Sequence, residues 1–111
     1  MRRAKCMRWT WTAAVVLALP AFAQAPVGNA KAGETKTSMC EGCHGIPDYK
    51  TAYPHVYHVP KIEGQQPVYI VNALNEYKSG ARSHPSMRAI ARGLSDQDMA
   101  DLAAYYSSLH Q

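Results

Sequence analysis

Cys40-Glu41-Gly42-Cys43-His44 is the stretch on which the reading of this chain turns. Two thiols three positions apart lie one helical turn from each other, and the next residue brings an imidazole to the same place. That spacing lets both sulfurs reach the two vinyl groups on one edge of a porphyrin while the imidazole comes under the iron. The run therefore reads as a covalent attachment site for one haem c, with Cys40 and Cys43 as thioether anchors and His44 as an axial ligand.

Other chemistries use part of this pattern. A C-x-x-C pair is half of many zinc sites, but a closed structural site takes four ligands and no second cysteine pair follows. A mixed set would have to be completed by His55, His58 or His84. A redox dithiol is expected beside alternating strands and helices, and no such alternation occurs along the chain.

The 111 residues allow a single small domain, and the first of them read as an export signal outside it. Arg2, Arg3, Lys5 and Arg8 form a basic start, residues 11–19 a short apolar run, and Ala21-Phe22-Ala23 the small-x-small pattern before a cleavage point. An uncleaved anchor is disfavoured, because the run falls well short of the ~20 residues that span a bilayer and Pro20 interrupts it. Residues 1–23 are expected to be removed, leaving a periplasmic protein with no permanent membrane anchor. Cys6 precedes the apolar run, so it is not placed as a lipidated cysteine and is expected to leave with the signal.

Charge must be counted after that removal. Four of the twelve Lys and Arg lie in the signal and all eight Asp and Glu beyond it, so the mature chain is near neutral. The sequence pI of about 9.1 is thus a property of the signal, and nucleic acid is excluded as a partner on this ground. From Gln24 onward 88 residues remain. At that size an apolar core alone is marginal, and a buried cofactor supplies part of the missing contact.

Residues 24–29, with Pro26 and Gly28, read as a flexible leader, and the domain is expected over 30–111. Residues 30–40 carry good helix formers, with Asn29 placed to cap them, and predict one helix running into the cysteine motif. Gly33 within it is either a tolerated helix glycine or a point of close helix crossing. Residues 45–66 hold three prolines and a concentration of Tyr49, Tyr53, Tyr57, His55 and His58 and show no period. A loop of that length is expected to wrap a cofactor edge, its tyrosines packing there as amphipathic rings.

Pro67 opens a helix over 67–78 that stops at Ser79-Gly80. Residues 82–86 read as a loop and 87–92 as a short turn closed by Gly93. Ser95 and Asp98 form a capping box for a last helix with Met99, Leu102, Ala103, Tyr106 and Leu109 on one face. No strand period is found, so the fold class is all-α.

An iron bound by His44 has a second axial position, for which the sequence offers Met39, Met87, Met99, His55, His58 or His84, or no ligand at all. Met39 is tied to the side of the cysteines, and Met99 falls on the apolar face of the last helix, where a thioether usually packs. Met87 follows Pro85 in a segment read as irregular and lies far enough along the chain to come back over the haem, with His84 as the alternative on the same loop. Two ligands that both stay on the iron leave no open position for a substrate. One-electron exchange through the haem edge is then the available chemistry; the alternative is a haem subunit or small oxidoreductase in which the methionine is displaced.

Several motifs in order also resemble a known family. They are the C-x-x-C-H-G run at 40–45, Pro60-Lys61-Ile62-Glu63-Gly64-Gln65, Tyr69 with Ala73-Leu74 and Tyr77, Gly80 with Arg82, Pro85-Ser86-Met87, and Leu94-Ser95 leading to Leu102-Ala103-Ala104-Tyr105-Tyr106. The chain resembles a class I c-type cytochrome of the bacterial cytochrome c553 and cytochrome c4 group across the whole mature length. The resemblance implies a monohaem fold with crossed first and last helices meeting at Gly33 and the Tyr105-Tyr106 pair. It also implies His44 and Met87 as iron ligands, and a Pro60 carbonyl that accepts the other imidazole N–H of His44. The partners it implies are redox proteins: a donor and an acceptor, such as a membrane-bound reductase and a terminal oxidase. Residues 48–59 depart from the short members of the group in carrying more Tyr and His.

Charge is unevenly spread. Lys78, Arg82, Arg88 and Arg92 occur with no acid among them, while Asp96, Asp98 and Asp101 gather in the last helix. A dipole with its positive end beside Met87 is the expectation.

Overall fold

The computed structural model of the protein describes residues 24–52 and 55–109, and the expected export signal lies outside the described residues. In chain order the elements are α1 (Ala30–Glu34), α2 (Ser38–His44), β1 (Lys50–Thr51), β2 (Tyr57–His58), α3 (Pro67–Ser79), α4 (Pro85–Arg92) and α5 (Asp96–Ser108). Both α1 and α3 pack on α5, and α4 packs on α3.

The capping box at the start of α5 forms as read: the Ser95 side chain accepts from the Asp98 backbone N–H, and the Asp98 carboxylate accepts from Ser95 N–H at 2.9 Å. Behind the cap, Met99, Leu102, Ala103 and Tyr106 recur at helical spacing and are all buried. They meet Ile70 and Leu74 of α3 and Ala91 of α4 in one apolar core. Gly80 ends α3 in the left-handed region at φ 89°, where a glycine carries no Cβ penalty.

Of the two readings of Gly33, close crossing is the one observed. A Cβ there would overlap the backbone carbonyl of Asp101 and lie 2.8 Å from the Tyr105 Cβ. Gly28 meets the carbonyl of Ala100 in the same way. Residues 27–29 are therefore not a loose leader. The Val27 carbonyl accepts from Gln97 Nε2 at 2.9 Å, and the Asn29 backbone N–H donates to Asp101 Oδ1 at 2.8 Å while its side chain caps α1.

Asp101 is the centre of that attachment and is 3 % exposed. Lys36 Nζ lies 2.7 Å from its Oδ2 and 2.8 Å from Asp98 Oδ1, and Gln97 Nε2 donates to its Oδ1 at 2.8 Å. The hydrogen bond from Lys36, with those from Asn29 and Gln97, holds the Asp101 carboxyl below the usual carboxylate range. Lys36 and Ser95 do the same to Asp98, and the lysine is raised in return. Lys36 therefore ties two of the three acids of the expected pole together and offsets one of their charges, and Asp96 lies outside the cluster.

Three expectations need correction. Residues 30–40 are not one helix: the hydroxyls of Thr35 and Thr37 donate to the carbonyls of Ala32 and Glu34 at 2.8 and 3.1 Å, and this competition breaks the ladder between α1 and α2. The stretch after α2 contains a two-stranded antiparallel pair, with Lys50 opposite His58 and Thr51 opposite Tyr57, too short for any period to reveal. Residues 85–92 form a regular helix that starts two positions earlier than the expected turn, with Pro85 in its first turn and His84 as N-cap.

Gly33→Ala is expected to cost roughly 1–3 kcal/mol or more, because a backbone carbonyl cannot yield as a side chain can; urea unfolding of the haem-loaded protein measures it. Asp101→Asn should melt lower than the parent at neutral pH. The folded carboxyl titrates below its unfolded value, so its contribution is present above the ordinary carboxylate pKa and lost as pH falls through the depressed one. The two melting temperatures should therefore converge on acidification, which a melting series from about pH 7 to about pH 2 would follow.

Candidate functional site

One turn of α2 brings Cys40 and Cys43 to the wall of a cavity of about 570 Å³, within the size range of small-molecule and cofactor sites. The interior is apolar, with Ile62, Ile70, Leu74, Ile90 and Leu102 supplied by the loop, α3, α4 and α5. Both thiols are free, Cys40 half-buried and Cys43 exposed. Burial pushes the Cys40 thiol up, against a hydrogen bond with Tyr106 that lowers it, so it is a neutral thiol at neutral pH. Burial likewise raises the Tyr106 hydroxyl. The Tyr106 carbonyl accepts from Gly64 N–H at 2.9 Å, which ties the loop before α3 to α5 beside the cysteines.

His44 ends α2 and enters the same cavity. Its Nδ1 lies 2.7 Å from the carbonyl oxygen of Pro60. A carbonyl can only accept, so in the neutral ring Nδ1 carries the proton and Nε2 keeps its lone pair. The contact expected from the resemblance is thus present in the geometry, and it fixes both the tautomer and the plane of the ring.

Met87 reaches the cavity from α4, half-buried and packed against the core. It stands in the first turn of a helix, not in an irregular segment, and is held more firmly than the sequence suggested. Its backbone N–H donates to His84 Nδ1 at 3.3 Å. That bond gives the two candidates on this loop different surroundings. In its neutral form His84 spends the lone pair of Nδ1 on the helix cap and carries its proton on Nε2, whereas the Met87 thioether is uncommitted.

The remaining candidates separate by burial. Met99 is fully enclosed at 0 % exposure and Met39 sits at the rim at 65 %. His58 borders the cavity as well. Among the described residues no group of three or more His, Cys, Asp or Glu is placed to hold a metal ion, so His55, His58 and His84 do not close a zinc set around the cysteines. Of the loop tyrosines, Tyr57 borders the cavity, Tyr49 uses its carbonyl to hold Val59 N–H at 2.9 Å, and Tyr53 lies outside the described residues.

One part of the wall had no role assigned from sequence beyond the resemblance. The Arg82 guanidinium sits 5.3 Å from the Tyr77 ring centroid and 5.9 Å from that of Tyr69, and Nη2 donates to the Tyr69 hydroxyl at 3.3 Å. All three residues border the cavity. The available signal was the spacing of Tyr69, Ala73 and Tyr77, which places them on one face of α3.

Residues 30–110 match the cytochrome c family. The chain belongs to that family. It is 42 % identical over 84 residues to cytochrome c-554(548) of Halomonas halodenitrificans, an alignment covering 73 % of this chain and 96 % of that one. It is 37 % identical over 94 residues to cytochrome c4 of Pseudomonas aeruginosa, covering 85 % of this chain and 44 % of the other. Among solved structures, reduced recombinant cytochrome c4 from Pseudomonas stutzeri superposes with a TM-score of 0.61 at 30 % identity, over 76 % of this chain and 47 % of that one. The chain therefore spans about half the length of its cytochrome c4 relatives. The architecture is the cytochrome c fold, mostly helical with very little strand.

The cofactor of the cytochrome c family is a covalently bound haem c with its iron. The residues present fit it. Two free thiols one turn apart, an imidazole with its Nε2 lone pair available and an uncommitted thioether all line one apolar cavity.

The cap that positions Met87 can be tested by itself. His84→Ala should destabilise the protein by about 1 kcal/mol, and His84→Asn, which restores a strong capping side chain, should recover most of that loss. Denaturant midpoints of the three proteins decide it. Equal midpoints for Ala and Asn would mean that the cap does not hold α4.

Proposed function

We propose that the chain is a periplasmic one-electron carrier in which Cys40 and Cys43 hold haem c through thioethers, His44 and Met87 are its axial ligands, and Pro60 orients His44. The observation that carries this reading is the 2.7 Å contact between His44 Nδ1 and the Pro60 carbonyl, made on the wall of the cavity that both cysteines and Met87 line. Bound there, the haem supplies one iron that gains or loses a single electron. The chain's own groups set how readily it does so. The Pro60 carbonyl makes His44 a stronger donor, and a thioether partner raises the potential relative to a second imidazole. Ile70, Leu74 and Leu102 keep water from the interior, while Met39, Tyr57 and Tyr69 form an exposed, largely apolar rim where a redox partner can approach. If His44 and Met87 both held the iron, no open site would remain for a substrate, and the partners would be a donor and an acceptor protein. The basic start, apolar run and small-x-small pattern in residues 1–23 support export, with the cytochrome domain over 30–111.

The haem-loaded ferric protein should show the weak absorption band at the red end of the visible that accompanies a thioether ligand, and carbon monoxide should leave the spectrum of the reduced protein unchanged. Met87→His should abolish the band and lower the potential. Met99→Leu should do neither and cost less than ~1.5 kcal/mol as a volume-conserving change. Ready binding of carbon monoxide by the parent, or loss of the band with Met99→Leu alone, would overturn the assignment.

A further inference from the structure

Beside the haem cavity lies a second cleft of about 330 Å³, bordered by Gly80, Arg82, Ser83, His84, Arg88 and Arg92 among others. No acid is among its lining residues. Arg88 and Arg92 stand four positions apart on α4, hence on one face of the helix, where like charges repel. Among the described residues neither guanidinium makes an ion pair or a hydrogen bond, whereas Arg82 meets Glu76 at 3.7 Å and the Tyr69 hydroxyl. The Arg88 guanidinium lies over Gly80, so close that a Cβ there would sit 3.2 Å from its central carbon. The glycine that the left-handed turn requires thus also leaves room for that side chain in the cleft.

Two unpaired guanidiniums bordering one small cleft that no carboxylate lines, beside an Arg82 already answered by Glu76, make a site complementary to an anion. We propose that this cleft binds a small polyvalent oxyanion of the phosphate or sulfate class, held by Arg88 and Arg92. Guanidinium groups suit such a ligand because their N–H forks match its oxygens, and the anion relieves the repulsion along α4. The cleft shares Arg82, Ser83 and His84 with the haem cavity, so only that short segment separates the two. Resting on the haem reading above, a second consequence follows. The oxidised iron carries one more positive charge than the reduced iron and therefore favours the bound anion. By reciprocity the anion lowers the potential.

Isothermal titration of the haem-loaded protein with inorganic phosphate, with sulfate and with chloride at matched ionic strength tests the site. Saturable one-site binding of the polyvalent anions is expected, with none for chloride. The double variant Arg88→Gln, Arg92→Gln should bind at least ~10-fold more weakly, the loss of a charge-assisted contact, with an unchanged circular dichroism spectrum. The same heats for chloride, or undiminished affinity in the double variant, would overturn the site. Its link to the iron is read separately: phosphate should lower the midpoint potential of the parent and not of the double variant. An unmoved potential in a parent that binds phosphate would overturn the coupling and leave the electron-carrier reading standing.

Discussion

Everything on the cysteine side of this protein depends on two backbones touching. Gly33 of α1 rests on the carbonyl of Asp101 in α5, a contact that any side chain would prevent. Because α2 follows three residues after α1, the seat of α1 on α5 also sets where Cys40, Cys43 and His44 can be. The Asp101 carboxylate then secures the seat from the side, accepting from Asn29, Gln97 and Lys36. A buried carboxylate is tolerable only when its oxygens are answered in this way, and here both are.

Much of the architecture was legible because it rests on local rules. The burial pattern of α5, its Ser95–Asp98 box, the αL stop at Gly80 and the helical spacing of the two cysteines all follow from neighbours in sequence. The misreadings have a common cause in contacts that neighbours do not reveal. Asp101 looked like one of three solvated acids, yet it lies between Ala100 and Leu102 on the buried side of its helix, and that apolar flanking was the available clue. The break at residues 35–37 came from threonine hydroxyls taking carbonyls that the helix would otherwise have used.

The start of α4 shows how far a cap can matter. Histidine is an unusual N-cap, so a serine-like signal was absent and the helix went unseen. The imidazole that looked like a rival for the iron is instead what fastens the N–H of the residue with the free thioether. Two candidates that seemed to compete for one place are parts of one arrangement, in which the Nδ1 lone pair of His84 serves the cap that holds Met87.

The Asn29–Asp101 hydrogen bond joins residues 72 positions apart. In a chain made from its N-terminus, residues 27–36 therefore have nothing to pack on until α5 has emerged, and closing so long a loop is among the slower steps a small domain can take. The cysteines sit just after this waiting segment. They stay on an open, reachable stretch of chain until α5 is in place, and its docking on α1 closes the structure beside them. Late closure thus keeps both thiols within reach of solvent until the fold is nearly complete.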